Sequence, residues 1–137
     1  MTTLSTLPKV MKASVVDAAG PPEASYIKEV SVPALPPNHV LIALQYVGVG
    51  IWDAEQRAGS WGSVKPRTIM GADGSGTIAA AGGHVTRFHV GDRVYSYSYG
   101  NRSGGFYTQY VSVPADRVAP VPGHLEMKIA GGCHALH

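Results

Sequence analysis

Asp53 and Arg57 are the first two residues whose types and spacing suggest a functional site. They stand four positions apart in residues 51–58, where good helix formers predict one or two helical turns that end at Gly59. Side chains at i and i+4 share one face of a helix, so the carboxylate and the guanidinium could pair. Such a pair either orients a substrate in a cleft or is an ordinary helix ion pair, worth about 0.3–0.5 kcal/mol. The sequence leaves both alternatives open.

Aromatic side chains stand next to this predicted helix. Trp52 and Trp61 flank it, and the two rings could form a wall against which a planar substrate stacks. The alternative is ordinary packing, either within the domain or against a further domain. Tyr46 could supply a phenolic proton to a reduced substrate, but its place in a predicted strand also suits the core.

Two further sets of residues have types that suggest a binding site, but the sequence around them does not fit such a site. Residues 71–76 have the glycine spacing Gly-x-x-Gly-x-Gly and lead into a strand-like segment. A phosphate-binding loop needs Gly-x-Gly-x-x-Gly followed by a helix, so we predict a glycine-rich strand. Cys133, His134 and His137 are of metal-ligating types, but they are the last few residues of this sequence, where a fixed geometry is not expected. We predict no metal site.

Short apolar runs separated by glycine and proline position these residues. The chain has 17 Gly and 10 Pro among 137 residues, a pattern that favours β-structure. We predict strands over residues 12–17, 26–32, 40–49, 77–81, 93–99, 105–113 and 117–119. Residues 40–49 are apolar on both faces, which is typical of a strand buried on both sides. The sequence therefore predicts a mainly β fold, a partly open β-barrel with one short helix and the start of a C-terminal helix near residue 126.

The composition excludes several classes of protein. Eleven basic and nine acidic residues leave a net charge of +2, which gives no electrostatic case for binding nucleic acid or an anionic membrane. No apolar run approaches the roughly 20 residues that span a bilayer. A single cysteine cannot form an internal disulfide and fits a reducing compartment. We expect a cytoplasmic protein without a nucleic-acid or membrane partner.

Three motifs, in this order, resemble one known family. The first is residues 48–53 (GVGIWD), followed by Arg57 and Gly59; the second is residues 66–78 (PRTIMGADGSGTI); the third is residues 90–94 (VGDRV) with 104–114 (GGFYTQYVSVP). Together they resemble the N-terminal, GroES-like domain of the medium-chain dehydrogenase/reductase superfamily. The branch they are most similar to is that of the zinc-independent quinone oxidoreductases, relatives of zeta-crystallin.

This resemblance implies a two-domain oxidoreductase. The GroES-like barrel forms one wall of the active-site cleft, and a Rossmann domain binds NADP(H), from which a hydride passes to a quinone or an activated alkene (enone). Asp53, Arg57 and Tyr46 are then candidate catalytic residues, and Gly50 lies where the backbone approaches the cofactor. Trp52, Glu55 and Trp61 are candidate substrate-binding residues.

Two departures from the family pattern bear on the chemistry. Zinc-dependent relatives carry a Cys where this chain has Gly50, and a His and a Glu where it has Ala72 and Asp73. Because glycine and alanine cannot ligate a metal, we predict that zinc is absent. Many quinone oxidoreductases carry Asn at the position of Gly50 and Tyr at the position of Glu55, so the substrate contacts of this chain should differ from theirs.

The resemblance also predicts how the chain is divided. We expect a flexible leader over residues 1–10, the GroES-like domain over residues 11–124, and over residues 125–137 the start of a connection to a Rossmann domain that this chain lacks. Alone, the chain should be inactive in hydride transfer. The alternative is a non-enzymatic interaction module that forms a homodimer or docks on a separate Rossmann-domain chain.

Overall fold

Two antiparallel sheets make up the fold in a computed structural model that describes residues 7–98, 101 and 104–130. The smaller sheet has the order β2-β1-β4 and consists of β1 (Val10–Val16), β2 (Ser25–Ser31) and β4 (Thr68–Ile69). The larger sheet has the order β7-β3-β5-β6-β8 and consists of β3 (His39–Val47), β5 (Asp73–Ala81), β6 (Arg93–Tyr97), β7 (Tyr110–Pro114) and β8 (Val118–Pro120). The larger sheet curls into a half-barrel, which confirms the predicted mainly β, partly open barrel.

The cross-sheet segment (residues 105–109) joins the two sheets, although it forms no long strand. The Tyr107 carbonyl accepts a hydrogen bond from the Ser14 N–H of β1 at 2.8 Å, and the Tyr107 N–H donates to Met70 O at 2.9 Å. On the other side, the Leu44 N–H of β3 donates to Gln109 O at 2.9 Å. The segment was predicted to be part of a long strand over residues 105–113, but regular pairing begins only at Tyr110 because the backbone before it bonds to several different elements.

Strand β3 is buried on both faces at its beginning, as predicted. Val40, Leu41 and Ile42 follow one another and are all buried. Val40 and Ile42 belong to the main apolar cluster with Phe106, while Leu41 packs with Ala79 in a second cluster on the opposite face. The larger sheet is therefore covered on both sides along this part of β3.

Glycines in β5 allow this strand to lie close to β3. A Cβ on Gly76 would overlap the carbonyl oxygen of Ala43, and a Cβ on Gly74 would lie 2.8 Å from Tyr46 O. The glycine-rich strand predicted around residues 71–76 is confirmed, and it starts at Asp73.

Strand β6 confirms the predicted alternation of tyrosine and serine. Ser96 lies on the buried side, where its hydroxyl donates to Arg117 O at 2.8 Å, while Tyr95 and Tyr97 are only partly buried. The inward face thus carries the small polar side chains and the outer face carries the rings.

Two α-helices complete the described structure. Helix α1 (Ile51–Ala58) ends at Gly59, whose φ of +89° is left-handed and whose N–H donates to Gln56 O at 3.1 Å, so the predicted helix and its glycine cap are confirmed. Helix α2 (Met127–Ala130) contacts β3, β5 and β6, and the Ser75 hydroxyl donates to the Met127 carbonyl. No helix within the described ranges has the length and apolar character needed to cross a bilayer.

The segments on either side of the predicted domain contact it, and the predicted division of the chain stays a prediction. Leu7 packs against the cluster of Leu41, and Lys9 O accepts a hydrogen bond from the Val32 N–H at 3.0 Å. Residues 125–130 also pack on the domain, since Arg93 donates to Leu125 O at 2.7 Å. The rest of the predicted leader and connection, residues 1–6 and 131–137, lie outside the described residues.

Replacement of Gly76 by alanine should destabilise the domain strongly. The added methyl group would overlap the Ala43 carbonyl in the centre of the larger sheet. We expect a loss of about 1–3 kcal/mol or more in the free energy of unfolding, measured by urea denaturation.

Gly83→Ala provides the matched control, because a Cβ at this turn position meets no atom within 4 Å. Its effect should stay within about 0.5 kcal/mol. Equal stabilities of the two variants would contradict the proposed close approach of β3 and β5.

Candidate functional site

Asp53 organises the turn between β3 and α1. Its carboxylate accepts a hydrogen bond from the Gly50 N–H at 2.9 Å, and its own N–H donates to Gly50 O at 3.1 Å. Only 4% of Asp53 is exposed. A carboxylate in the first turn of a helix satisfies an otherwise unpaired N–H and interacts favourably with the helix dipole. Asp53 thereby holds the start of α1 in place.

Arg57 does not form the ion pair with Asp53 that the i, i+4 spacing suggested. Its Nε donates to Gly20 O at 3.3 Å, which ties α1 to the turn between β1 and β2. Among the described residues, no oxygen of Asp53 lies within 4 Å of the Arg57 guanidinium. The expected pair is therefore wrong, because each side chain has a backbone partner instead.

Gly50 lies beneath the indole of Trp52. A Cβ built on Gly50 would overlap this ring, so a larger residue here would force Trp52 to move. The φ of Gly50 is −110°, which any residue adopts, so its need for glycine comes from the close approach of the ring and not from the backbone. Trp52 itself is partly buried, and its Nε1 is buried without a hydrogen-bond partner in the described structure.

Asp73 is a buried carboxyl group at the start of β5. It is 1% exposed, and neither carboxylate oxygen has a hydrogen-bond partner among the described residues. Its carboxylate packs directly against the Cα of Gly48, where a Cβ would overlap it. Burial, together with the negative charge of nearby Asp53, raises the pKa of Asp73 to about 6. This group therefore exchanges its proton near neutral pH.

Tyr107, in the cross-sheet segment, brings a second unsatisfied polar group to the same region. Its hydroxyl is buried without a hydrogen-bond partner in the described part of the chain. Burial, the charge of Asp53, an interaction of the hydroxyl with the Asp53 carboxylate outside normal hydrogen-bond geometry, and the charge of Asp73 raise the pKa of Tyr107, while the charge of Arg57 opposes them. The phenol therefore stays neutral at physiological pH. A neutral phenol can still donate a hydrogen bond.

Two neighbouring cavities open beside α1. The first, which we call the polar pocket because the charged residues Asp53 and Arg57 line it among mostly apolar surface, has a volume of about 160 Å³. It is lined by Ser14, Val16, Ser25, Val49, Asp53, Ala54, Arg57, Met70 and Tyr107. The apolar groove has a volume of about 570 Å³ and is lined by Lys12, Ala13, Ser14, Ile27, Val47, Val49, Tyr107 and Thr108. Ser14, Val49 and Tyr107 line both cavities, so the two adjoin each other.

The structure brings some of the predicted site residues together and separates others. Asp53 and Arg57 both line the polar pocket, whereas Trp52, Glu55 and Trp61 line neither cavity. Trp61 donates through Nε1 to Glu55 Oε2 at 3.2 Å, so these two form a contact on the surface. Tyr46 is 47% exposed, so its alternative placement in the core is wrong. The catalytic role of Tyr46 stays a prediction, as do the roles of the other predicted site residues.

Asp73 and Tyr107 were missed as site residues from the sequence. In the sequence, Asp73 stands out only as a departure from a metal-binding motif, and Tyr107 only as part of the third family motif. The available signal was an ionisable residue within a run of small residues, which indicates a buried charge. No comparable local signal marks Tyr107, because its neighbours in space come from β1, α1 and β5.

No group of three or more His, Cys, Asp or Glu side chains in residues 7–98, 101 and 104–130 is arranged to hold a metal ion. The set of Cys133, His134 and His137 lies outside the described residues. At the positions where zinc-dependent relatives carry ligands, Gly50 is covered by Trp52 and Ala72 is a buried methyl group.

Comparison with known proteins identifies the family. Residues 36–123 match the alcohol dehydrogenase GroES-like domain, and this match covers most of the chain. The chain therefore belongs to the alcohol dehydrogenase GroES-like domain family. Within the medium-chain dehydrogenase/reductase superfamily, its relatives place it in the quinone oxidoreductase branch, which confirms the resemblance carried by the three motifs.

Two relatives illustrate the range of similar enzymes. The quinone oxidoreductase of Lama guanicoe is 35% identical over 128 residues, covering 91% of this chain and 38% of that protein. The trans-enoyl reductase thnE of Trichoderma harzianum is 34% identical over 136 residues, covering 94% of this chain and 36% of that protein. The chain thus spans less than two-fifths of the length of these relatives.

Solved structures agree with the fold. The quinone oxidoreductase from Coxiella burnetii superposes with a TM-score of 0.83 at 23% identity, over 90% of this chain and 41% of that one. The Escherichia coli quinone oxidoreductase, solved in complex with NADPH, superposes with a TM-score of 0.75 at 20% identity, over 88% of this chain and 36% of that one. At these identities the likeness establishes the fold alone.

The buried Asp73 should make the stability of the domain depend on pH between about 4 and 6. The folded protein holds the Asp73 proton up to a pKa of about 6, whereas the unfolded chain releases it near 3.8. The folded state therefore binds more protons in this window, and the free energy of unfolding should fall as pH rises, by on the order of 2 kcal/mol. Urea denaturation at pH 4.5, 5.5, 6.5 and 7.5 measures this fall in the free energy of unfolding.

Two variants isolate the contribution of Asp73. Asp73→Asn should remove this decline, since an amide carries no charge at any of these pH values. Asp17→Asn is the control and should retain the decline in stability as pH rises. Hydrogen bonds from Tyr26 and from the Arg67 N–H lower the pKa of Asp17, so its contribution to stability is lost only as pH falls below about 4. The same slope in Asp73→Asn as in the wild type would contradict the assignment.

Proposed function

We propose that this chain is the substrate-side domain of a zinc-free, NADP(H)-dependent oxidoreductase that reduces quinones or other activated alkenes by hydride transfer. The observation that carries the proposal is the pair of adjoining cavities beside α1, in a domain whose family relatives include quinone oxidoreductases and trans-enoyl reductases. Asp53 and Arg57, two of the residues carried by the family motif, line the inner cavity.

The surface around Gly50 suits contact with a nicotinamide ring. Val49 is 80% exposed and Ile51 is 73% exposed, so two apolar side chains flank the glycine. A bound nicotinamide cofactor would supply the hydride. The role of this chain would be to cover one face of the ring at Val49, Gly50 and Ile51 and to exclude water there. Most contacts with the cofactor would come from a Rossmann domain.

Arg57 and Tyr107 would act on the carbonyl end of the substrate. Negative charge collects on a carbonyl oxygen as the conjugated carbon accepts hydride, and fixed donors near that oxygen lower the barrier. Arg57 supplies a permanent positive charge in the polar pocket, and the raised pKa of Tyr107 keeps its phenol available as a neutral donor. Asp53 would hold α1, and with it Arg57, in position.

The proposal also includes the other predicted site residues, the absence of zinc and the cellular location. Tyr46 would approach the substrate from the exposed end of β3, and Trp52, Glu55 and Trp61 would contact it once the cleft is closed by the second domain. The zinc-free assignment is supported by Gly50 and Ala72, which offer no ligand atoms. A cytoplasmic location is supported by the single cysteine.

Hydride transfer should require the second domain. The purified chain, incubated with NADPH and duroquinone, should show no loss of absorbance at the nicotinamide band above the rate without protein. A chimera that joins this chain to the remainder of the Lama guanicoe enzyme should oxidise NADPH. Enzyme-like turnover by the chain alone would contradict the proposal that hydride transfer requires the second domain.

Arg57→Gln in the chimera should lower kcat/KM for duroquinone by about 10- to 100-fold, as expected for a lost charged donor. Its NADPH affinity, measured by fluorescence, should be unchanged. Arg87→Gln is the matched control, because Arg87 lies over the Phe88 ring and lines neither cavity beside α1. If the Arg57 variant is as active as the Arg87 variant, the proposed contact of Arg57 with the substrate is contradicted.

A second candidate function is an interaction module, favoured by the exposed apolar side chains Ile27, Val49 and Ile51. If the chain self-associates through this surface, light scattering at millimolar concentration should give a dimer, and Ile51→Lys should return it to the monomer. Val90→Lys, which alters an exposed valine elsewhere, should leave the dimer intact. A wild-type chain that remains monomeric at this concentration would contradict self-association through this surface.

A further inference from the structure

The β3–α1 turn (residues 48–50) rests on two acidic side chains. The carboxyl group of Asp73 packs against the Cα of Gly48, at the position that a Cβ would occupy, and the Gly48 N–H donates to Asp73 O at 3.0 Å. The Gly50 N–H donates to the carboxylate of Asp53 at 2.9 Å. The position of the turn therefore depends on the state of both carboxyl groups.

Asp73 lies in surroundings that do not stabilise a negative charge. It is 1% exposed, and neither of its carboxyl oxygens has a hydrogen-bond partner among the described residues. Ionisation of a buried carboxyl group without such partners is costly, because the charge loses its hydration and gains nothing in return. Burial, followed by the negative charge of Asp53, accordingly raises the pKa of Asp73 to about 6.

The elements packed around Asp73 bring it one neighbouring charge that shifts its pKa, the carboxylate of Asp53 on α1. The other titratable or charged groups on these elements are Tyr46 of β3, Arg57 of α1, Tyr95 and Tyr97 of β6, Tyr107 of the cross-sheet segment, and Lys128 of α2 with its ion-pair partner Glu126. Burial and the like charge of Asp53 thus act in the same direction, and both favour the neutral carboxyl group.

The β3–α1 turn is the thinnest cover between Asp73 and water. Strand β5, which carries Asp73, is paired with β6 on one side and with β3 on the other, so its backbone is held in place. The turn lies outside strand and helix, and two of its three residues are glycines. Its third residue, Val49, is exposed, so solvent lies on the far side. Movement of the turn is therefore the least costly way to hydrate a charge on Asp73.

We propose that the neutral carboxyl group of Asp73 holds the β3–α1 turn against β5, and that loss of its proton opens the turn so that water reaches the carboxylate. This opening requires no cofactor and goes beyond the proposed function. Its consequence for the enzyme rests on the proposed function, in which Val49 and Gly50 cover the nicotinamide. A cofactor that binds the closed turn would also favour the protonated form of Asp73, since such coupling is reciprocal.

Amide hydrogen exchange of the ¹⁵N-labelled chain measures the opening, and protection factors correct for the intrinsic exchange rate at each pH. The pKa of Asp73 is about 6 in the closed turn and returns to 3.8 when water reaches the group. The closed state therefore binds more protons between these values, and opening becomes more favourable as pH rises. From pH 5 to pH 7, the Gly48 and Gly50 amides should lose protection about tenfold, with little further loss above pH 7.

Low concentrations of urea distinguish this local opening from unfolding of the whole domain. A local opening exposes little surface, so the protection of the Gly48 and Gly50 amides should not change in about 1 M urea. Protection that decreases with urea, as expected for global unfolding, would overturn the proposal that the turn opens by itself.

An amide in place of the Asp73 carboxyl group should abolish the effect of pH. In Asp73→Asn, the Gly48 and Gly50 amides should be equally protected at pH 5 and pH 7. Asp17→Asn is the matched control at an exposed carboxylate and should retain the tenfold loss. Equal protection at the two pH values in the wild type, or a tenfold loss retained in Asp73→Asn, would overturn the proposal.

Gly48→Ala tests the contact from the side of the turn and leaves Asp73 unchanged. The added methyl group would overlap the Asp73 carboxyl group, so the Gly50 amide should already be weakly protected at pH 5. Gly83→Ala, where a Cβ meets no atom within 4 Å, should be protected like the wild type. Wild-type protection in Gly48→Ala would overturn the role of this contact.

The chimera with the Lama guanicoe enzyme separates this proposal from the proposed function. If a cofactor covers the closed turn, NADPH at about 100 times its Kd should raise the protection of the Gly48 and Gly50 amides at pH 7 by up to about 100-fold. A turn that depends on pH in the isolated chain but that NADPH does not protect would contradict the proposed cofactor contact, while the opening controlled by Asp73 stands.

Discussion

The close approach of β3 and β5 is the constraint on which the rest of the structure depends. It is possible because Gly74 and Gly76 carry no side chain where the backbone of β3 passes. Strand β5 then pairs with β3 on one side and with β6 on the other, and its first residue, Asp73, is drawn beneath Gly48. The same packing fixes the end of β3 and therefore the turn that starts α1.

The elements of the fold follow from local patterns, whereas the contacts of the site do not. Residues 51–58 combine helix formers with a following glycine, and that local information suffices for α1. The partner of Arg57 is the carbonyl of Gly20, 37 positions earlier, and no helical spacing rule contains it. Likewise, the burial of Asp73 and Tyr107 results from the assembly of both sheets, so their residue types alone could not reveal it.

The electrostatics of the site result from burial more than from ion pairing. Burial raises the pKa of both Asp73 and Tyr107, and the negative charge of Asp53 raises both further, so each group is shifted toward its neutral form. The polar pocket therefore combines the guanidinium of Arg57 with the carboxylate of Asp53 and the neutral phenol of Tyr107, so its opposite charges offset one another.

The cross-sheet segment also has a consequence for the order in which the domain can form during synthesis. The Lys12 N–H of β1 donates to the Gln109 side chain, 97 residues further along the chain. At about 5–20 residues per second, the ribosome needs about 5–20 s to add that stretch. Until then the first strand has β2 on one edge and β4 beside Val15 and Val16 on the other, but the part of that edge from Lys12 to Ser14 lacks the cross-sheet segment. The hairpin of β1 and β2 thus leaves the ribosome with an open edge, and its completion must wait for nearly the whole domain to emerge.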